Sequence, residues 1–230
     1  MTSSTHLSTI GHELLDDPAA DPVQVRESLG NIARSNWYFG GIAAARFGLA
    51  RLLAANPVAE ATFLDVGTGA GDLPTALVSH FRGRGTALRP LGVDLNLTAA
   101  KLATSNGVPT IRGDGLALAL GSRSVDFVLL SQIAHHLSTD GVILLAREAS
   151  RVARRGVIIS DLKRSRWAEF GFGIAARLLR FDKATIADGV TSLRRGFRAG
   201  ELKALLLKAG FAAECEERVG ARVVATWSFK

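Results

Sequence analysis

Apolar and polar positions along the chain follow two different periods. Before residue 60 the apolar positions recur at helical spacing. Residues 23 to about 35 predict one helix, and a second starts near Gly40 and runs through Ile42, Phe47, Leu49, Leu52 and Leu53 to a stop at Asn56-Pro57. From Ala61 onward, short apolar runs alternate with helical patterns. Strands are predicted over 61–66, 87–94, 110–113, 125–131 and 156–161, with helices over 70–81, 98–105 and 139–152 between them. Near-continuous apolar strands separated by helices imply a parallel sheet covered on both faces.

Past Lys163 the rhythm changes. A helical stretch over 166–181 is followed by an expected loop through Asp188-Gly189 and Arg194-Arg195-Gly196. Another helix, 199–209, stops at Gly210, a residue suited to a helix C-cap. Strand-like runs over 211–219 and 222–229, joined through Gly220-Ala221, suggest a closing antiparallel hairpin. Residues 1–22 are polar, acidic and punctuated by Pro18 and Pro22, and are expected to be poorly ordered. The chain therefore divides into a tail over 1–22, a helical segment over 23–60, and a core over 61–230 with a helical insertion around 162–200.

Length and composition agree with a globular α/β chain. At 230 residues it is long enough to bury a sizeable core, and 47% hydrophobic with 21% charged residues is not the balance of a disordered chain. The single cysteine, Cys215, excludes an intramolecular disulfide and any multi-cysteine metal site, which points to a reducing compartment. The first twenty residues carry Glu13, Asp16 and Asp17 and lack the basic-then-apolar order of a signal peptide. The richest apolar window, 42–55, is cut by Arg46 and Arg51, so no span is predicted and a cytoplasmic location is expected.

The first strand breaks into Asp65-Val66-Gly67-Thr68-Gly69-Ala70-Gly71-Asp72. Glycines at such a strand–helix turn let the backbone take positive φ and approach a ligand closely. A dinucleotide fold places its glycines as G-x-G-x-x-G. Here the spacing is G-x-G-x-G, and Asp72 stands where that fingerprint has its third glycine. Carboxylates at Asp65 and Asp72 repel a pyrophosphate but suit a ligand with an ammonium and a sulfonium.

This stretch resembles the first motif of the class I S-adenosylmethionine-dependent methyltransferases, commonly written [DE]-x-G-x-G-x-G. The nearest likeness is to the ubiquinone/menaquinone-type small-molecule methyltransferases. The resemblance covers roughly 61–161 and implies a Rossmann-like fold. That fold has a seven-stranded, mostly parallel sheet with a closing antiparallel hairpin, helices on both faces and an N-terminal helical lid. It implies S-adenosylmethionine as cofactor, held by Asp65, Gly67, Thr68, Gly69, Gly71 and Asp72. Further positions follow in order: Asp94 with Leu95 for the ribose, Asp114 with Gly115 for the adenine, and Ser131 at the end of the fourth strand. Asp94 and Asp114 also suit ordinary turn or capping roles, and Ser131 a helix cap.

His135 and His136 follow the fourth strand and are the catalytic candidates, with His136 ranked ahead. An imidazole titrates near neutrality and suits removal of a hydroxyl proton. The bland alternative packs one against the sheet and leaves the other exposed. Asn36, Trp37 and Tyr38, with Phe39, form the aromatic cluster expected on the lid near the substrate, where rings attract a sulfonium. No metal site is predicted.

The expected function is methylation of a small molecule at the hydroxyl of an aromatic or polyketide-like compound of secondary metabolism. C-methylation of a quinone-like compound, RNA methylation and a non-catalytic S-adenosylmethionine-binding partner role are the alternatives. Between residues 147 and 208 there are 15 Lys or Arg against 6 Asp or Glu, which keeps nucleic acid open as a partner. Against it, no Asn/Asp-Pro-Pro-aromatic run follows the fourth strand, and Cys215 does not lie in a Pro-Cys loop. The sequence leaves the oligomeric state open.

Overall fold

The computed structural model describes residues 6–11, 13–17 and 19–229. Within them, a seven-stranded sheet has the order β3-β2-β1-β4-β5-β7-β6. The strands are β1 (Glu60–Val66), β2 (Ala87–Asp94), β3 (Thr110–Arg112), β4 (Val125–Ser131), β5 (Ala153–Leu162), β6 (Glu214–Arg218) and β7 (Arg222–Ser228). The first five pair in parallel, and β7 inserts antiparallel between β5 and β6. Every residue of β4 is buried, as a central strand covered on both faces requires.

The helices are α1 (Pro22–Tyr38), α2 (Gly41–Ala55), α3 (Asp72–Arg82), α4 (Leu97–Ser105), α5 (Thr139–Val152), α6 (Arg166–Leu178), α7 (Lys183–Arg195) and α8 (Ala199–Ala209). One core layer joins the sheet to α5 and α8 through Leu64, Val128, Leu145, Ile159, Leu202 and Leu206. The other joins it to α2 and α3 through Leu49, Leu52, Phe63, Leu77, Phe127 and Ile158. The span 23–60, expected as a lid, therefore divides: α2 belongs to the core, and α1 caps the carboxyl edge of the sheet.

Two expectations are corrected. The loop expected through Asp188-Gly189 and Arg194-Arg195-Gly196 is helix α7 up to Arg195, started by Asp182, whose carboxylate accepts from Thr185 N at 2.9 Å. Gly189 serves packing within that helix, because a Cβ there would overlap the Phe172 ring of α6. In addition, the described part of the segment expected to be poorly ordered folds onto the body. Leu7 bridges Leu137, Leu14–Asp16 form a 3₁₀ turn, and Leu14 N donates to Asp188.

Register sets where the polar strand ends fall. Val66 is level with Val93 and Leu130, so Gly67, Asp94 and Ser131 emerge side by side. Ser131 is level with Ser160, which puts Asp161 next along β5. Strand order reverses between β1 and β4, where open α/β sheets bind their ligands. No helix among the described residues is long and apolar enough to cross a membrane.

Candidate active site

A cavity of about 610 Å³ opens over the carboxyl edge of the sheet, within the range of small-molecule sites. At its β1–β2 end, Gly67, Gly69 and Gly71 take φ of +74°, +55° and +78°, left-handed values that strain any residue with a Cβ. A side chain at Gly67 would press on Ile133, and one at Gly71 on Val108. The turn is fixed from both sides. Asp94 Oδ2 accepts from Gly69 N at 2.9 Å, and Thr68 Oγ1 donates to Asp65 Oδ2 at 3.0 Å.

Gly67, Thr68, Gly69, Asp72, Asp94, Leu95, Asp114, Gly115 and Ser131 all border the cavity. Asp65 and Gly71 do not. They stand behind the turn, Asp65 almost fully buried and Gly71 capping α3, and act by shaping it. Burial raises the carboxyls of Asp65, Asp72 and Asp94, and Asp65 is pushed furthest, with the charges of Asp72 and Asp94 adding to the effect. Asp65 Oδ1 is also buried without a hydrogen-bond partner. A cationic ligand supplies what this acidic pocket lacks, so these residues fit S-adenosylmethionine.

Of the three residues expected on the lid, the structure brings only Asn36 to the cavity. Asn36 is buried, borders the cavity, donates to Asp72 Oδ2 at 3.0 Å and accepts from Gln132 Nε2 at 2.6 Å. Gln132 itself takes the left-handed φ of +53°, uncommon for a residue with a side chain. Trp37 and Tyr38 are 73% and 60% exposed and do not border the cavity. The cause is helical phase: α1 continues through Tyr38, and at about 100° per residue Ile32, Ser35, Asn36 and Phe39 face inward while residues 37 and 38 face out.

The two histidines have different surroundings. His135 is buried at 3% exposure, with Nδ1 lying 2.6 Å from Asp161 Oδ1. Asp161 also accepts from the backbone N–H groups of His135 at 3.2 Å and Leu162 at 2.6 Å. Burial alone would push the Asp161 carboxyl up, but the adjacent His135 holds it below the usual range. His135 Nε2 is buried and has no partner. His136, by contrast, has Nδ1 2.6 Å from Asp16 Oδ1 and 3.2 Å from Arg195 Nη1.

Sequence reasoning missed the groups gathered around these rings. Arg195, expected in a loop, is buried and donates to the carbonyls of Ile10 and Gly11, to Glu13 and to Asp16. Glu13, His135 and His136 bring potential metal-ligand atoms within 4.8 Å of one another, but the Arg195 guanidinium already supplies positive charge 3.0 Å from Glu13 Oε1. Asp161 was open to discovery by the rule that singled out Asp94, since it too is an acid near the carboxyl end of a parallel strand. Arg195 and its partners, separated by about 180 residues, left no local signal.

Comparison with known proteins decides the class. Residues 64–160, from within β1 to within β5, match the family model described as a methyltransferase domain. That segment is a methyltransferase domain, and the chain has the fold of S-adenosylmethionine-dependent methyltransferases. A methyltransferase of Aquifex aeolicus shares the fold at a TM-score of 0.59 and 19% identity, over 91% of this chain and 99% of that one. The magnesium protoporphyrin IX methyltransferase of Synechocystis, solved with bound S-adenosylhomocysteine, gives 0.56 and 14% over 83% and 84%. The CurJ carbon methyltransferase gives 0.61 and 14% over 90% and 61%. No curated protein matches the chain by sequence.

Proposed function

We propose that this methyltransferase acts on a small molecule, at a hydroxyl of an aromatic or polyketide-like compound, with His135 Nε2 receiving the hydroxyl proton. The observation that carries the reading is the His135–Asp161 pair. With Nδ1–H donated to Asp161, Nε2 is left as a bare acceptor, buried and beside the cavity. When bound, S-adenosylmethionine supplies a methyl group activated on a sulfonium. The protein's share is then to position the acceptor and hold its proton, the two tasks in-line transfer leaves to it. His136, ranked first on sequence, is the weaker candidate because both of its ring nitrogens face charged groups: Asp16 and Arg195 lie against Nδ1, and Glu13 lies 3.8 Å from Nε2.

The lid role is assigned to α1, fastened by Asn36 to Asp72 and Gln132. Ion pairing of about half of the basic residues favours this reading over the RNA alternative. Of the basic residues between 147 and 208, Arg151, Arg154, Arg155, Lys163, Arg164, Arg194 and Arg195 are all in ion pairs. A base at Nε2 serves an acidic carbon acceptor as well, so product analysis distinguishes O- from C-methylation.

The test is methyl transfer from labelled S-adenosylmethionine to a panel of phenols, hydroxybenzoates and hydroxyquinones. His135→Gln is expected to lower kcat about 10²- to 10⁴-fold with S-adenosylhomocysteine affinity unchanged. Wild-type turnover in the folded variant would remove His135 from the chemistry.

A further inference from the structure

Arg222 opens β7 opposite Leu162, at the edge of the sheet where β5 delivers Asp161. Its side chain is 1% exposed, the largest of the fully buried side chains, and it borders the cavity. Nε donates to the Phe39 carbonyl at 3.1 Å, while Nη1 is buried and has no hydrogen-bond partner. Asp161 is the one charge that supports it among the described residues, and the Asp161 oxygens are engaged by His135 and by Leu162 N. Burial lowers the guanidinium to about 10, which leaves it charged at neutral pH. A charged, half-satisfied guanidinium inside a protein is costly unless something anionic meets it.

We propose that Arg222 is the receptor for a carboxylate on the methyl acceptor, which makes the substrate an aromatic hydroxy acid. The inference builds on the hydroxyl reading above, but its carboxylate half stands on Arg222 alone. The unpartnered Nη1 of Arg222 and the unpartnered Nε2 of His135 flank Asp161 on the β5 side of the cavity. The glycine turn and Asp94 lie on the β1–β2 side, with β4 between. One group presents a donor with full charge and the other a bare acceptor, which suits a molecule carrying a carboxylate and a hydroxyl. Phe39, Leu162, Phe172 and Phe181 supply apolar walls for a ring between them. One free Nη1 amino group beside apolar walls fits a monoanionic carboxylate better than a phosphate dianion, which demands more donors.

The experiment is calorimetric titration of the protein saturated with S-adenosylhomocysteine, using benzoate and its neutral isostere benzamide as probes. Benzoate is expected to bind at least tenfold more tightly than benzamide. Arg222→Met should abolish that preference and leave S-adenosylhomocysteine affinity unchanged. Arg222→Lys, which keeps the charge but shortens the reach, should retain part of it. Equal binding of the two probes by the wild type would overturn the proposal without any variant. So would an undiminished preference in folded Arg222→Met. A fall in S-adenosylhomocysteine affinity would instead assign the guanidinium to the cofactor's own carboxylate and also overturn it. His135→Gln separates this idea from the hydroxyl reading, since it should keep the benzoate preference while losing turnover.

Discussion

Asn36 Nδ2 donates to Asp72 Oδ2 across 3.0 Å, which ties α1 to the first turn of α3 beside the glycine turn. The same amide accepts from Gln132 Nε2, so one buried side chain joins α1 to the ends of two sheet–helix units. Hydrogen bonds to charged groups are each worth about 1.5–3 kcal/mol. Asn36→Ala is therefore expected to weaken S-adenosylhomocysteine binding roughly tenfold, since about 1.4 kcal/mol is a factor of ten. Calorimetric titration checks this, with circular dichroism confirming the fold; unchanged affinity would mean that α1 does not report to the cofactor end.

The three raised carboxyls make cofactor binding a proton-linked event. A carboxyl raised in the folded protein contributes stability below the ordinary aspartate value of about 3.9 and loses it as pH climbs through the folded value. Asp65, Asp72 and Asp94 all act in this direction. A cationic ligand favours their ionised forms, so S-adenosylmethionine should release protons on binding in mildly acidic buffer. S-adenosylhomocysteine has the ammonium but no sulfonium, and should release fewer. Calorimetry in buffers of different ionisation enthalpy measures both numbers; equal release would place the sulfonium away from these carboxylates.

Asp161 orients His135 rather than receiving its proton. Its carboxyl is held below the usual range, so it stays ionised at neutral pH and keeps Nδ1–H in place. Asp161→Asn reverses that preference, because an amide nitrogen facing Nδ1 favours the tautomer with its proton on Nε2. The expected result is a loss of about 10²-fold or more in kcat with little change in cofactor affinity. Full activity in Asp161→Asn would show that the ring does not serve as a base.

Much of this site was legible in the sequence because buried parallel strands read as continuous apolar runs whose first polar residue marks the ligand edge. Asp94, Asp114 and Ser131 were placed that way, and the glycine turn by its spacing. What escaped notice depended on tertiary contact. Arg195 read as a loop residue, and Arg222 only as the start of a strand, because their burial is set by segments about 180 residues away. Asp188-Gly189 read as a turn because that pair favours one locally, whereas Phe172 needs the glycine inside a helix. Trp37 and Tyr38 were misplaced by a helix that runs three residues longer than its apolar pattern suggests.

The Gly189 contact has a measurable consequence. In an exposed helix, Gly→Ala gains about 1 kcal/mol of propensity. Here the added methyl would overlap the Phe172 ring, which also packs edge-on against Phe39 at 5.5 Å. Overpacking of this kind costs about 1–3 kcal/mol. The overlap outweighs the propensity, so Gly189→Ala should lower Tm by a few degrees. A raised Tm would show that α6 and α7 part freely.

Arg195 holds the segment before α1 in place. Its guanidinium reaches the Ile10 carbonyl at 2.5 Å, the Gly11 carbonyl at 2.8 Å, and Glu13 and Asp16 at 3.0 Å each. The partners are buried acids, and Asp16 is held well below the ordinary range despite its burial by its bonds to His136 and Arg195. A depressed carboxyl contributes stability above its ordinary value and loses it only as pH falls through the folded one, so the segment stays docked at neutral pH. Arg195→Met removes the shared cation and leaves two carboxylates facing each other, a change that typically costs about 3–5 kcal/mol for a buried pair. The local docking energy is smaller than the stability of the sheet, so the segment should detach while the core remains folded. Limited proteolysis should then cut within residues 6–17 at least tenfold faster than in the wild type. Because Asp16 also engages His136, turnover should fall less than in His135→Gln. Equal protease resistance in the two proteins would show that the segment is held by its apolar contacts instead.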